Sequence, residues 1–173
     1  MAYQFNLSYY YITQEHDDYL TAFSEASGDS RQTLIMQYVR GWLGRNRSYY
    51  EALARLDVAK RGISIDEWVS TVVSQGFDAL PDYKQPIING EISQNPLGHI
   101  ILPSNTIKRE SNYISLTKQN FVLLRTAIHF DGGRIAHFIS KVIYEHLLRN
   151  WQALYANQVS AETSNNWLLA GEK

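Results

Sequence analysis

The chain of 173 residues contains no cysteine. That excludes a disulfide framework and a cysteine-ligated zinc site, and it fits a reducing compartment. Proline is scarce, and all four residues (Pro81, Pro86, Pro96 and Pro103) fall within 77–107. No apolar run approaches the ~20 residues of a membrane-spanning helix. The opening Met1-Ala2-Tyr3-Gln4-Phe5-Asn6 lacks the basic and apolar regions of a secretory signal, so a cytoplasmic location is expected and no membrane partner. Phosphate loops, nucleophile elbows and paired-carboxylate signatures are missing, so an enzyme is not expected. The five histidines, His16, His99, His129, His137 and His146, show no His-x-x-x-His or carboxylate-paired spacing. No metal or other cofactor is therefore expected.

Hydrophobic residues make up 45% of the chain and charged residues 19%, which suits a folded globular protein rather than a disordered one. The net charge of −1 argues, taken whole, against a nucleic-acid binder. Its distribution is uneven. Residues 106–151 carry 7 basic and 3 acidic side chains, whereas 51–105 carry 4 and 7. One basic segment thus sits in an otherwise acidic chain.

Sliding the sequence against itself by 104 positions aligns Tyr9 with Tyr113, Thr13 with Thr117, Leu20 with Leu124 and Gly28 with Gly132. Leu43, Arg45 and Asn46 fall on Leu147, Arg149 and Asn150. The element pattern repeats with them. Each copy, about residues 8–47 and 112–151, opens on a run that favours a strand: Ser8-Tyr9-Tyr10-Tyr11-Ile12 and Asn112-Tyr113-Ile114-Ser115-Leu116. Thr13 and Thr117 stand where a helix N-cap is wanted. A first helix follows, with Tyr19, Leu20, Phe23 and Ala26 on its apolar face, matched by Leu123, Leu124, Ala127 and Phe130. Gly28 and Gly132 are placed to end it. The second helix, capped by Ser30 in copy one and entered through Gly133-Arg134 in copy two, carries Leu34, Ile35, Tyr38, Val39, Trp42 and Leu43. Phe138, Ile139, Val142, Ile143, His146 and Leu147 form the matching stripe, a spacing that predicts deep burial.

Strand, helix, glycine turn and apolar helix, with the Thr-to-Gly spacing shared by both copies and Gly28-Asp29-Ser30-Arg31-Gln32-Thr33-Leu34 at the second-helix entry, resembles the ribbon-helix-helix family of Arc- and MetJ-type DNA-binding regulators. The resemblance covers roughly 80 of the 173 residues. It implies a mainly α fold with short β-strands: tandem ribbon-helix-helix units joined by a helical middle segment and a proline-containing linker. It also implies that paired strands form a ribbon whose outer side chains enter the major groove of double-stranded DNA. Carried over, the base-facing positions are Tyr113 and Ser115 in copy two and Tyr9 and Tyr11 in copy one. Lys108 and Arg109, ahead of the second strand, would contact phosphate, as would Arg134, Ser30 and Arg31 at the second-helix starts. None of the four strand positions is Arg, Lys, Asn or Gln. An alternative register turns Gln4, Asn6 and Ser8 outward. Gln4-Phe5-Asn6-Leu7 reads like the Arc strand but stands three residues too early for the helix spacing, so it reads as coincidence unless the strand is long or bulged.

The organisation expected is therefore a first copy over 1–50, a helical segment over 51–76, a linker over 77–107, a second copy over 108–158 and a tail over 159–173. Tyr49–Arg61 reads as helix, and Ser64-Ile65-Asp66-Glu67 as a capping box ahead of Trp68, Val69, Val72 and Val73, with Gly76 as the stop. This pair could brace copy one. Asn89-Gly90 suggests a hairpin turn inside the linker, and a helical tail should fray near Ser160, with Ser164-Asn165-Asn166 loose. A single copy cannot cover its apolar faces, so either a homodimer or an intrachain pseudo-dimer is expected. The rival to DNA binding is a protein-interaction or dimerisation scaffold, with the acidic middle facing a protein partner.

Overall fold

The computed structural model describes residues 3–93, 95–131 and 133–160. Extended backbone opens the chain as β1 (Tyr3–Asn6) and β2 (Tyr9–Thr13). Thr13 accepts from the His16 N–H at 3.2 Å and starts α1 (Gln14–Ser27), and Gly28 closes it at φ 78°. That left-handed conformation suits a residue without Cβ. Ser30 then caps α2 (Arg31–Arg45) by accepting from the Thr33 N–H at 3.1 Å. Next come α3 (Arg47–Arg61) and α4 (Ile65–Ser74), the latter capped by Ser64 as the capping box anticipates. After residues 75–105 the chain returns to extended form as β3 (Thr106–Glu110) and β4 (Tyr113–Leu116). Helices α5 (Lys118–Asp131) and α6 (Ile135–Asn150) follow, and α6 runs into a π-helical turn over Trp151–Tyr155. The molecule is mainly helical with two short antiparallel two-stranded sheets.

The two sheets lie end to end along the same two stretches of chain. β1 pairs with β4, from Tyr3 opposite Leu116 to Asn6 opposite Tyr113; β2 pairs with β3, from Tyr9 opposite Glu110 to Thr13 opposite Thr106. Between them the Leu7 N–H donates to the Asn112 carbonyl at 3.0 Å and the Ser111 N–H to the Ser8 carbonyl at 2.8 Å. Residues 3–13 and 106–116 thus form one interrupted ribbon, and the pairing is made within the chain.

The ribbon lies on α2 and α6, which also pack on each other. All twelve residues expected on the two second-helix stripes are buried, with Leu34, Val39, Leu43, Ile139, Ile143 and Leu147 fully so. On the first helices Leu20, Phe23, Leu123, Leu124 and Ala127 are buried, while Tyr19, Ala26 and Phe130 are half-buried. From the ribbon, Leu7, Tyr10, Ile12, Ile114 and Leu116 join the same cluster.

Several expectations need revision. Residues 106 and 107 belong to a strand rather than a linker, and Lys108 and Arg109 sit inside β3 instead of ahead of the ribbon. Thr106 and Ile107 pair with Thr13 and Ile12, and this β-branched match outweighs the charged run that follows. Helices α3 and α4 pack on α5, and α3 also packs on α2, where Trp42 Nε1–H donates to the Tyr50 hydroxyl at 3.1 Å, so the pair braces both α2 and α5. Asn89-Gly90 forms a turn, with Gly90 at φ 94°, but no strand flanks it among the described residues. The segment after α4 is instead tied down by a buried carboxylate. Asp57, fully buried, accepts from Arg61 Nε at 2.7 Å, from Trp68 Nε1 at 2.8 Å and from the Tyr83 hydroxyl, while Arg61 also donates to the Pro81 carbonyl. The turn over Trp151–Tyr155 stacks Trp151 on Tyr19 at 4.1 Å, covering α1. Gly132 and Ser164-Asn165-Asn166 lie outside the described residues. No described helix is long and apolar enough to cross a membrane.

Candidate nucleic-acid interface

In an antiparallel ladder, residues directly opposite one another share a face. Tyr10, Ile12, Ile114 and Leu116, each buried to within 3% exposure, mark the inner face. The outer face therefore holds Gln4 opposite Ser115, Asn6 opposite Tyr113, Tyr9 opposite Glu110 and Tyr11 opposite Lys108. Gln4, Asn6, Lys108, Glu110 and Tyr113 are exposed, and Tyr9, Tyr11 and Ser115 half-buried.

The interruption at Leu7–Ser8 explains why two registers were legible in the first strand. Leu7 is buried and Ser8 exposed, yet the next inward residue is Tyr10. An alternation of strict period two would have turned Tyr9 inward. The break adds the residue that resets the phase. Gln4 and Asn6 face outward before it, and Tyr9 and Tyr11 after it. Both registers are therefore present, one in β1 and the other in β2, and Gln4-Phe5-Asn6 forms part of the ribbon itself.

The residues singled out from the sequence divide into those on the outer face and those engaged beneath it. The Lys108 ammonium lies 4.2 Å from the Tyr9 ring centroid, a cation–π contact that holds it over the surface. Tyr11 packs its ring 5.9 Å from His137, and its N–H donates to Ser140 Oγ at 2.7 Å. Tyr113 and Ser115 accept through their carbonyls from Gln32 Nε2 and, at 3.3 Å, Arg40 Nη2. These contacts from α2 and α6 satisfy edge groups that would otherwise invite another strand. Ser30 is engaged as the α2 cap. Arg134 is the exposed N-cap residue of α6 and has no side-chain partner among the described residues.

Arg31 and Arg109 are in a different position. Both close on Asp17, itself only 5% exposed. Arg31 Nη2 donates to Oδ1 at 2.5 Å and to the Tyr10 hydroxyl at 2.9 Å; Arg109 Nη2 donates to Oδ2 at 2.5 Å and its Nε to Oδ1 at 3.2 Å. Burial pushes the Asp17 carboxyl up, but the hydrogen bonds and charges of Arg109 and Arg31 outweigh it and hold the group below the ordinary carboxylate range. Sequence reading missed Asp17, because the pairing spans 92 positions to Arg109. Its only signal was an acidic residue on the first turn of α1, which commonly means nothing more than helix-dipole compensation.

No protein-family model, curated protein or solved structure matches the chain.

Proposed function

We propose that this chain binds duplex DNA through the outer face of the ribbon, as two ribbon-helix-helix units closed into a pseudo-dimer within one polypeptide. The observation that carries the reading is the ribbon itself, one antiparallel pair built from residues 3–13 and 106–116, whose outer face bears the exposed polar side chains Gln4, Asn6, Lys108 and Glu110. A two-stranded ribbon fits the major groove and can present such groups to base edges.

The correspondence of 104 positions supports the pseudo-dimer. It carries Gln14–Ser27 onto Lys118–Asp131 and the start of Arg31–Arg45 onto Ile135. It carries the Thr13 cap bond to the His16 N–H onto the Thr117 bond to the Asn120 N–H, both 3.2 Å long. The two central ribbon bonds, Leu7 to Asn112 and Ser111 to Ser8, exchange under it, as a two-fold axis through the ribbon centre requires.

Fluorescence anisotropy with a labelled pool of random duplexes, at about 50 and about 200 mM salt, tests the reading. Binding should weaken with salt, and Arg134→Ala, at the exposed start of α6, should flatten the slope of log affinity on log salt by ~0.9. No retention of duplex at the lower salt refutes DNA binding whatever the fold.

A second reading, a protein-interaction scaffold, has its own support. An apolar groove between α3, α4 and α5 is lined by Ala54, Ile65, Trp68, Val69, Val122 and Leu123, and Ile65 in it is 51% exposed. That reading expects no duplex binding in the same assay.

A further inference from the structure

The outer face of the ribbon has two chemically different halves. On one side of the centre stand Gln4, Asn6, Tyr113 and Ser115, all neutral. On the other stand Lys108 and Glu110, of opposite charge, beside Tyr9 and Tyr11. The correspondence of 104 positions takes Gln4 to Lys108 and Asn6 to Glu110. Rotation about the ribbon centre therefore exchanges amides with charges. Gln4, Asn6 and Glu110 have no side-chain hydrogen bond or ion pair among the described residues, and all four side chains are exposed. Their polar groups are available to a ligand.

The difference continues beneath the ribbon. Asp17 corresponds to Phe121 and Arg109 to Phe5. Where Arg109 meets Asp17 at 2.5 Å, the Phe5 and Phe121 rings meet with centroids 5.5 Å apart. One end of the ribbon rests on a buried carboxylate held by two arginines, and the other on paired aromatic rings with the Arg125 guanidinium 4.5 Å from the Phe121 centroid, so the two ends are distinct inside as well as outside.

A ribbon made from two copies of one strand presents the same surface twice and matches a two-fold symmetric site. This ribbon presents its two surfaces once each. We infer that its duplex site is non-palindromic, with an A·T half read by Gln4 and Asn6 and a G·C half read by Lys108 and Glu110. The inference rests on the duplex-binding reading above. The chemistry follows from the donors and acceptors: carboxamides pair bidentately with adenine N6 and N7, an ammonium donates to guanine O6 and N7, and a carboxylate accepts from cytosine N4.

Selection of bound sequences from a randomised duplex pool by the full chain tests it, with a thermal melt of each variant to establish that it folds. The wild-type motif should lack two-fold symmetry. Gln4→Ala with Asn6→Ala should erase preference in the A·T half by ~10-fold or more per position and leave the G·C half intact. Lys108→Ala with Glu110→Ala should do the reverse. Gln4→Lys with Asn6→Glu, which copies one half onto the other, should move the motif toward an inverted repeat. A palindromic wild-type motif overturns the inference and leaves duplex binding standing, as does equal blurring of both halves by each alanine pair. A pool from which nothing is retained refutes duplex binding, and the inference falls with it.

Discussion

Removing the Asp17 carboxylate tests whether the ribbon is locked to α1 by charge. It accepts three hydrogen bonds from Arg31 and Arg109 while 5% exposed. Stripping one partner from a fully buried ion pair costs about 3–5 kcal/mol, but here the two arginine side chains are 30% and 48% exposed and can regain water. Asp17→Ala is therefore expected to cost ~2–3 kcal/mol in urea unfolding at neutral pH. The carboxyl titrates below its ordinary value, so its contribution is present above the unfolded pKa and is lost as pH falls through the folded one. The gap between wild type and Asp17→Asn should close only below about pH 4. Importing the aromatic pair from the other end of the ribbon, by Asp17→Phe with Arg109→Phe, should be at least ~1 kcal/mol less costly than the two single changes added together. An Asp17→Ala cost under ~0.5 kcal/mol, or strict additivity of the phenylalanine changes, would refute the charged lock.

Three further outcomes are expected. A fragment ending at Asn105 lacks β3, β4, α5 and α6, leaving Leu34, Val39 and Ile12 uncovered, so sedimentation should show it associated or unfolded; a folded, concentration-independent monomer would count against intrachain closure. Ile143→Ala, at a site with 0% exposure, should lower stability by ~2–5 kcal/mol in thermal or urea melts. His146 is stacked 3.9 Å from Tyr38 and held down to about 4 by burial. The unfolded chain therefore binds the extra proton first, and stability should fall between about pH 6.5 and 4, by up to ~3 kcal/mol from this group. Because burial raises Asp131 to about 6 and so opposes this loss, the readout is the difference between wild type and His146→Gln.

The parts of the fold that were legible are those set by local sequence. Period 3.6 fixed the stripes from Leu34 to Leu43 and from Phe138 to Leu147, all buried, because a helix must bury its apolar side whatever it packs against. Thr13, Ser30, Ser64 and Gly28 act as caps because capping is satisfied within a few residues. What escaped was decided across long separations. Thr106 and Ile107 look like linker, and Lys108 and Arg109 like a lead-in to the next strand, until Tyr9–Thr13 pairs with Thr106–Glu110. Outward placement of both Gln4 and Tyr9 needs the break at Leu7–Ser8, which exists only where Asn112 and Ser111 supply its bonds. The docking of α3 and α4 on α5 was open for the same reason, since an apolar stripe states that it needs a cover and not which element provides it.

The same separation governs how the charges should be weighed. The basic excess over 106–151 looks like an electrostatic surface when counted along the chain. In three dimensions Arg109 answers Asp17, Arg149 answers Glu145 at 2.9 Å, and Arg125 donates to the carbonyls of Val72 and Val73 at the end of α4. Lys108 stands on the outer ribbon, and Arg134 begins the helix whose His137 meets Tyr11. On the duplex-binding reading, Arg134 meets phosphate while Lys108 meets a base edge, so the salt slope should be shallow, roughly −1. Electrostatic attraction then contributes little, and selectivity must rest on the side chains that meet the base edges. That places the weight on Gln4 and Asn6, which add no charge and are invisible to any count of it.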